Sequence, residues 1–411
     1  MFRNKIVPRF IEEIVRNKCK TSFDLTPSSM KDYPEPDINK KYLLYFHVPF
    51  CESFCSFCSF FKTKYNPQTV KEYFTSLRID IKKAHDKGYQ FQGVYIGGGT
   101  PTLATDEVAL TIDLLKDLFN IKEVSCEANP NISDVTIKTL KNRVDRLSIG
   151  VQSFEESLLI KSNRLEKYGK PEEMFDNISK AIDNFRIVSV DMIFNFYDQT
   201  KEILINDLRT LIDLSPDQIA YYPLMYSKYS SIKNGYGGYS KKNEFSFFEI
   251  IMNELNHDYK QAGSWSFTKK GEKFFDEYVI NHDEYLGLGA GAFSYLNHTL
   301  YANTFNMKEY IANAKNGIST IKLQKSYGEK DQLNYRLMLK LFADEFNPKD
   351  FKRDYGENSI KKIAKEIAFF KLVNAFKSNS YSLNKYGKYY AMVMMEEFYI
   401  EMNELRAKLQ K

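Results

Sequence analysis

The chain is predicted to be an α/β protein built on parallel strands, with a helical region after them. Three observations predict it. From residue 41 onward, short apolar runs alternate with longer amphipathic ones. Cysteines, glycines and isolated polar residues gather where the apolar runs stop. Residues 331–411 carry helical periodicity almost throughout. Strands alternating with helices imply βαβ units and a parallel sheet. The expected strands are 42–48, 93–96, 123–127, 146–151, 188–194 and 218–222. The helices between them are 70–85, 106–118, 133–140, 172–184 and 200–214. Six strands suggest a TIM-like barrel, complete or partial. A doubly wound sheet shows the same alternation, and counting strands does not separate the two.

The remaining segments follow from the same pattern. Residues 1–40 read as a leader with one amphipathic helix over 8–18 and a turn-rich stretch holding Pro27, Pro34 and Pro36. The barrel is assigned to 41–225. Residues 226–330 form a less regular extension containing Gly287-Leu288-Gly289-Ala290-Gly291-Ala292. A small helical domain follows over 331–411, with helices at 331–344, 359–375 and 387–410.

Composition narrows the function. In 411 residues, 43% are hydrophobic, enough to bury a large core, and the formal net charge is +5. Such a small, dispersed surplus does not describe a nucleic-acid binder. No stretch reaches the ~20 apolar residues of a membrane span. The first ten residues lack the apolar run of a signal peptide, so a cytoplasmic protein is expected. Five cysteines, Cys19, Cys51, Cys55, Cys58 and Cys126, are too few and too unevenly placed for a disulfide framework.

Three of the five fall in the segment Cys51-Glu52-Ser53-Phe54-Cys55-Ser56-Phe57-Cys58, directly after the first strand. The spacing C-x3-C-x2-C lets one loop bring three thiolates to one inorganic centre. Iron–sulfur clusters are held by cysteine thiolates, normally four. Three leave one iron open to a small molecule. Zinc is the competing reading. It needs four ligands, usually in paired motifs, and only His47 is near enough to be a fourth. The loop position matches the C-terminal strand ends where barrel enzymes place their chemistry.

The second strand runs into Gly97-Gly98-Gly99-Thr100-Pro101-Thr102. Bare glycine backbone lets a ligand approach peptide groups closely. The spacing is not that of a phosphate loop. Polar residues recur at the same level: Glu127 on the third strand, Gln152 after the fourth, Arg164 beyond it and Asp191 inside the fifth. A carboxylate in an apolar strand is costly unless bonded. Glu127 and Asp191 could accept from ribose hydroxyls, and Arg164 could hold a carboxylate. A salt-bridge network among the three is the structural alternative.

Together these motifs resemble the radical S-adenosylmethionine (SAM) superfamily. More narrowly, they are similar to the family of oxygen-independent coproporphyrinogen III oxidase and its relatives. The resemblance spans residues 41–400. It rests on Tyr45-Phe46-His47-Val48-Pro49-Phe50-Cys51, the cysteine core, residues 97–102 and 147–154, Asn163-Arg164, residues 190–193 and 284–292, and Leu383-x3-Gly387. It implies a partial parallel (β/α)6 barrel with a helical C-terminal domain. It also implies a [4Fe–4S] cluster on Cys51, Cys55 and Cys58, with SAM as cofactor. Tyr45 and Phe57 would contact SAM or the cluster. Gly98, Gly99 and Thr100 would hold the methionine end. Glu127, Gln152, Arg164 and Asp191 would complete the pocket.

The activity implied is reductive cleavage of SAM to a 5′-deoxyadenosyl radical, acting on a tetrapyrrole and served by a reduced flavodoxin- or ferredoxin-type electron donor. Oxidative decarboxylation of coproporphyrinogen III is the leading expectation. The sequence departs from the oxidase pattern at Cys58-Ser59-Phe60-Phe61-Lys62, where the oxidase carries a further cysteine two residues after the third. Members with phenylalanine there include haem chaperones and anaerobic haem-degrading methyltransferases, and these are the alternatives.

Overall fold

The computed structural model describes residues 2–225, 241–272, 282 and 284–410. Of the expected extension, 226–240, 273–281 and 283 therefore lie outside the described residues. Six parallel strands form the centre: β1 (Tyr42–Val48), β2 (Phe91–Gly98), β3 (Glu123–Ala128), β4 (Arg146–Gln152), β5 (Ile187–Phe194) and β6 (Gln218–Pro223). They pair in chain order, each parallel to the next. A doubly wound sheet would reverse direction partway, and this one does not.

The strands are buried on both faces, as their continuous apolar runs require. Helices Pro67–Asp86, Thr105–Leu118, Asp134–Leu140, Pro171–Ile182 and Lys201–Leu214 cover the outer face. Local chemistry sets their starts. Asn66, Ser133 and Thr200 each accept a backbone N–H from three residues on. Side chains from β2 to β6, among them Tyr95, Glu127, Ser148, Asp191 and Tyr222, line one cavity. The sheet therefore curls around that cavity as a partial barrel.

The sheet is longer than the six strands. Tyr285–Leu288 lies parallel to β1 on its free side. Beyond it run Phe293–Leu296, Thr299–Asn303, Ile321–Ser326 and Thr26–Pro27, all antiparallel. At the other side β6 is extended by Ser266–Lys269 and Tyr259–Gln261. The two outermost strands do not pair with each other, so the sheet is open among the described residues.

The C-terminal region is helical, with Glu329–Phe342 and Lys385–Leu409 as its long members. The helix expected over 359–375 is broken into Ser359–Lys362 and Ala364–Leu372 at Ile363, which is fully buried. Asn374, at φ +53°, ends the second piece in the left-handed conformation. The helix near the start, Val7–Ser22, packs along Lys385–Leu409. Arg16 Nε donates to Glu397 Oε1 at 2.8 Å, and the Phe23 and Phe398 rings lie 5.4 Å apart. Among the described residues, no helix is long and apolar enough to cross a membrane.

Candidate functional site

β1 delivers the cysteine loop, and a small ladder closes its neck. Phe50–Cys51 runs parallel to Thr63–Lys64. The Thr63 N–H donates to Pro49 O at 2.6 Å and the Tyr65 N–H to Cys51 O at 2.8 Å. Inside the loop, the Cys58 N–H donates to Cys55 O at 3.2 Å. The far side is tied to the segment after β4, where the Ser56 N–H reaches Ser162 O at 3.3 Å. Cys51 is buried, while Cys55 and Cys58 are half-buried.

The glycine turn at the end of β2 is locked against this loop. The Gly99 N–H donates to Val48 O and the Thr100 N–H to Phe50 O, both at 2.8 Å. A β-carbon at Gly99 would stand 2.6 Å from Phe50 O, and one at Gly98 would stand 2.5 Å from the His47 ring. Gly98 also has φ +120°, a conformation that favours glycine. The glycines therefore admit the protein's own groups, a ring at Gly98 and backbone at Gly99, as closely as they could admit a ligand's.

The polar residues at the strand ends face the same space. Glu127 accepts the Gly98 N–H and the Tyr95 hydroxyl, each at 2.9 Å. Asp191 accepts the Ser148 hydroxyl at 3.0 Å. Gln152 takes φ +79° at a register shift against β5. Arg164, 4% exposed, donates to Cys55 Sγ at 3.1 Å and to Gly150 O, and lies 4.4 Å from the centre of the Tyr168 ring. Its Nε is buried without a partner among the described residues. The salt-bridge alternative would put Arg164 on Glu127 or Asp191. Its ordered partners are a thiol and a carbonyl.

Cys51, Cys55, Cys58, Phe57, Gly98, Gly99, Thr100, Glu127, Gln152, Arg164 and Asp191 all line one cavity of about 290 Å³. Tyr45 does not. Its hydroxyl lies 2.7 Å from His47 Nδ1, and its ring packs 6.1 Å from that of Tyr95. Among the described residues, no three His, Cys, Asp or Glu side chains are close enough to share one metal ion. The three thiols instead border a space. Burial, helped by the neighbouring Cys58 thiol, pushes the Cys51 thiol up to about 11.

His47 has no coordination left to offer. Its Nε2 lies 2.8 Å from Phe61 O, a pure acceptor, so Nε2 carries the proton and Nδ1 accepts from Tyr45. Burial lowers its pKa to about 4 and keeps the ring neutral. Cys126 is buried away from the cavity, and burial raises its thiol pKa.

Several lining residues escaped the sequence reading. Tyr95 and Ser148 orient Glu127 and Asp191, and both belong to strands whose period-2 pattern points them to the same face. Asn129 donates to Thr100 Oγ1 at 3.0 Å. Trp265, Phe342, Met395, Tyr399 and Asn403 close the far wall from distant parts of the chain, and no local pattern marks them.

The profile of the Radical SAM superfamily matches residues 45–211. The heme chaperone HemW of Bacillus subtilis is 31% identical over 284 residues, covering 65% of this chain and 74% of that protein. The oxygen-independent coproporphyrinogen III oxidase of Helicobacter pylori is 31% identical over 193 residues, 44% of this chain and 41% of its own. The solved structure of the Escherichia coli coproporphyrinogen III oxidase HemN, described as a radical SAM enzyme, shares the fold. Its TM-score is 0.74 at 18% identity, over 87% of this chain and 90% of that one.

Proposed function

The chain belongs to the radical SAM superfamily, in the family that includes heme chaperones and oxygen-independent coproporphyrinogen III oxidases, and on that premise we propose that it is a cluster- and SAM-dependent haem chaperone. Cys51, Cys55 and Cys58 would hold a [4Fe–4S] cluster and leave one iron for SAM. The observation that carries this is the convergence of three thiols, a glycine turn and a buried guanidinium on one cavity. When bound, the pair supplies one-electron reductive cleavage of the SAM sulfonium.

The chain's own groups have definite parts in this reading. Arg164 donates an N–H to the Cys55 sulfur, and hydrogen bonds to cluster sulfurs tune the reduction potential. Its unpartnered Nε is available to an anionic ligand group. Glu127 and Asp191 line the cavity, where a carboxylate would accept from ligand hydroxyls. Phe57 and Phe60 help exclude water. A reduced flavodoxin- or ferredoxin-type donor in the cytoplasm would supply the electron.

Two observations favour the chaperone over the oxidase. The residue two beyond Cys58 is Phe60, so the loop offers no fourth thiol there, and Phe61 is packed under His47. Similarity to the chaperone also extends over 74% of that relative, against 41% of the oxidase. The oxidase reading keeps the equal identity of its shorter match.

Anaerobic loading with iron and sulfide tests the cluster: about four irons per chain are expected, and few in Cys55→Ala. Incubation with SAM and reductant then tests the function. Stable haem binding without substrate-dependent 5′-deoxyadenosine is the expected result. Conversion of coproporphyrinogen III to protoporphyrinogen IX, or of haem to a methylated linear tetrapyrrole, would overturn it.

A further inference from the structure

Behind the helix Lys385–Leu409 lies a second cavity, about 470 Å³, larger than the cysteine cavity. Among the described residues, eleven aromatic side chains stand in its wall, six of which show how many elements contribute. Phe10 and Phe23 come from the N-terminal helix and its end, Phe293 and Tyr295 from the sheet, and Phe369 and Phe398 from C-terminal helices. Protein interiors close up around voids much larger than a water molecule. A space of this size among large rings falls in the range of small-molecule sites.

Its polar groups are few and unfinished. Asn334 lines the cavity, and both its Oδ1 and its Nδ2 are buried with no partner among the described residues. Glu366 Oε2 is in the same state. Folded proteins seldom leave such atoms uncompensated. Charged groups of both signs border the space: Lys18 stands 4.0 Å from Glu366 and near Asp331, while Lys365 and Arg406 bring two further cations. An aromatic wall selects a flat ring system, and basic groups beside it select acidic substituents. Among the described residues, no histidine lines it. Burial raises the Cys19 thiol pKa and keeps it a poor iron ligand. Recognition would thus be of the ring rather than of a metal.

The two cavities share one residue. Tyr399 lines both, and its ring lies 5.9 Å from that of Trp265 in the first. We infer that this second cavity seats a carboxylated tetrapyrrole, one side chain away from the cluster and SAM. The class of ligand rests on the function proposed above, whereas the place rests on the cavity itself.

Zinc protoporphyrin IX is a suitable probe, because it needs no axial histidine and photosensitises nearby methionines to sulfoxides in the presence of dioxygen. Binding would be titrated with the cluster-loaded chain and with Val15→Trp, which fills the cavity from the N-terminal helix. The substitution should weaken the probe at least tenfold and leave iron content and SAM binding unchanged. Illumination should oxidise Met338 and Met402 in the second cavity, ahead of Met225 in the first. Oxidation centred on Met225, or unimpaired binding by a folded Val15→Trp, would overturn the inference and leave the chaperone function standing. If Val15→Trp does not fold, the oxidation map alone decides. Failure of the unaltered chain to bind the porphyrin or haem would overturn both.

Discussion

Gly99→Ala should loosen the cysteine loop and empty it of iron. The added methyl would stand 2.6 Å from Phe50 O, 2.9 Å from Phe50 N and 2.9 Å from Val48 O. All three are backbone atoms at the end of β1 or in the short strand Phe50–Cys51 that follows, and none can swing aside. Overpacking of this kind costs about 1–3 kcal/mol. Relief by separation would break the bonds from Gly99 N–H to Val48 O and from Thr100 N–H to Phe50 O, worth about 0.5–1.5 kcal/mol each. The two routes bracket a loss of about 1–3 kcal/mol. A domain with about 5–15 kcal/mol in hand survives that. The loop geometry is expected to suffer more than the fold. The assay pairs urea unfolding with iron content after anaerobic loading. Gly263→Ala is the matched control, since its methyl would meet Phe342 at an ordinary 3.4 Å. Wild-type urea midpoint and full iron in Gly99→Ala would refute the reasoning.

Arg164→Lys keeps the charge but cannot bridge Cys55 and Gly150 with one planar group, so SAM binding should weaken about tenfold or more by calorimetry on the loaded protein. Lys241→Met removes the cation that lies 2.8 Å from Glu396 and 3.0 Å from Glu12. It takes the shared cation from the buried Glu396 and the half-buried Glu12 and should cost about 3–5 kcal/mol, with faster hydrogen exchange in the helix Val7–Ser22. Asp207, buried under the Ser153 hydroxyl and the Phe154 N–H, has its pKa raised by burial from 3.8 to about 7. The folded chain keeps a proton there that the unfolded chain has released, so this stability is full below pH 3.8 and lost as pH rises through about 7. Asp207→Asn should flatten that fall in urea midpoints compared at about pH 5.5 and about pH 8.

The central strands and their helices were legible because each carries its own period. Residues 42–48 are apolar but for His47, and β1 occupies those same positions. The cysteine loop and glycine turn were legible through residue types that carry chemistry at short spacing. What escaped depends on pairing across long stretches of chain. Tyr285–Leu288 falls in what reads as a less regular extension, and it lengthens the sheet beside β1. Its glycine Gly287 is needed because a β-carbon there would meet Phe293 O at 1.9 Å. Gly289, at φ +98°, lets the following backbone reach the Tyr73 hydroxyl, which also bonds His47 O. The bond of the Tyr45 hydroxyl to the buried His47 ring, 2.7 Å long, is likewise invisible to strand periodicity. Tyr399 and Trp265 reach the cavity through packing alone.

The pairing of Val7–Ser22 with Lys385–Leu409 sets an order of events during synthesis. At about 5–20 residues per second, roughly 20–70 seconds pass between emergence of the first helix and its partner. Through that interval the apolar face of the early helix waits uncovered, while the six central strands and the strands that flank them are completed. Met395, Tyr399 and Asn403, which wall the cysteine cavity, arrive only at the close of that interval. The last helix is thus a door hung after the room is furnished.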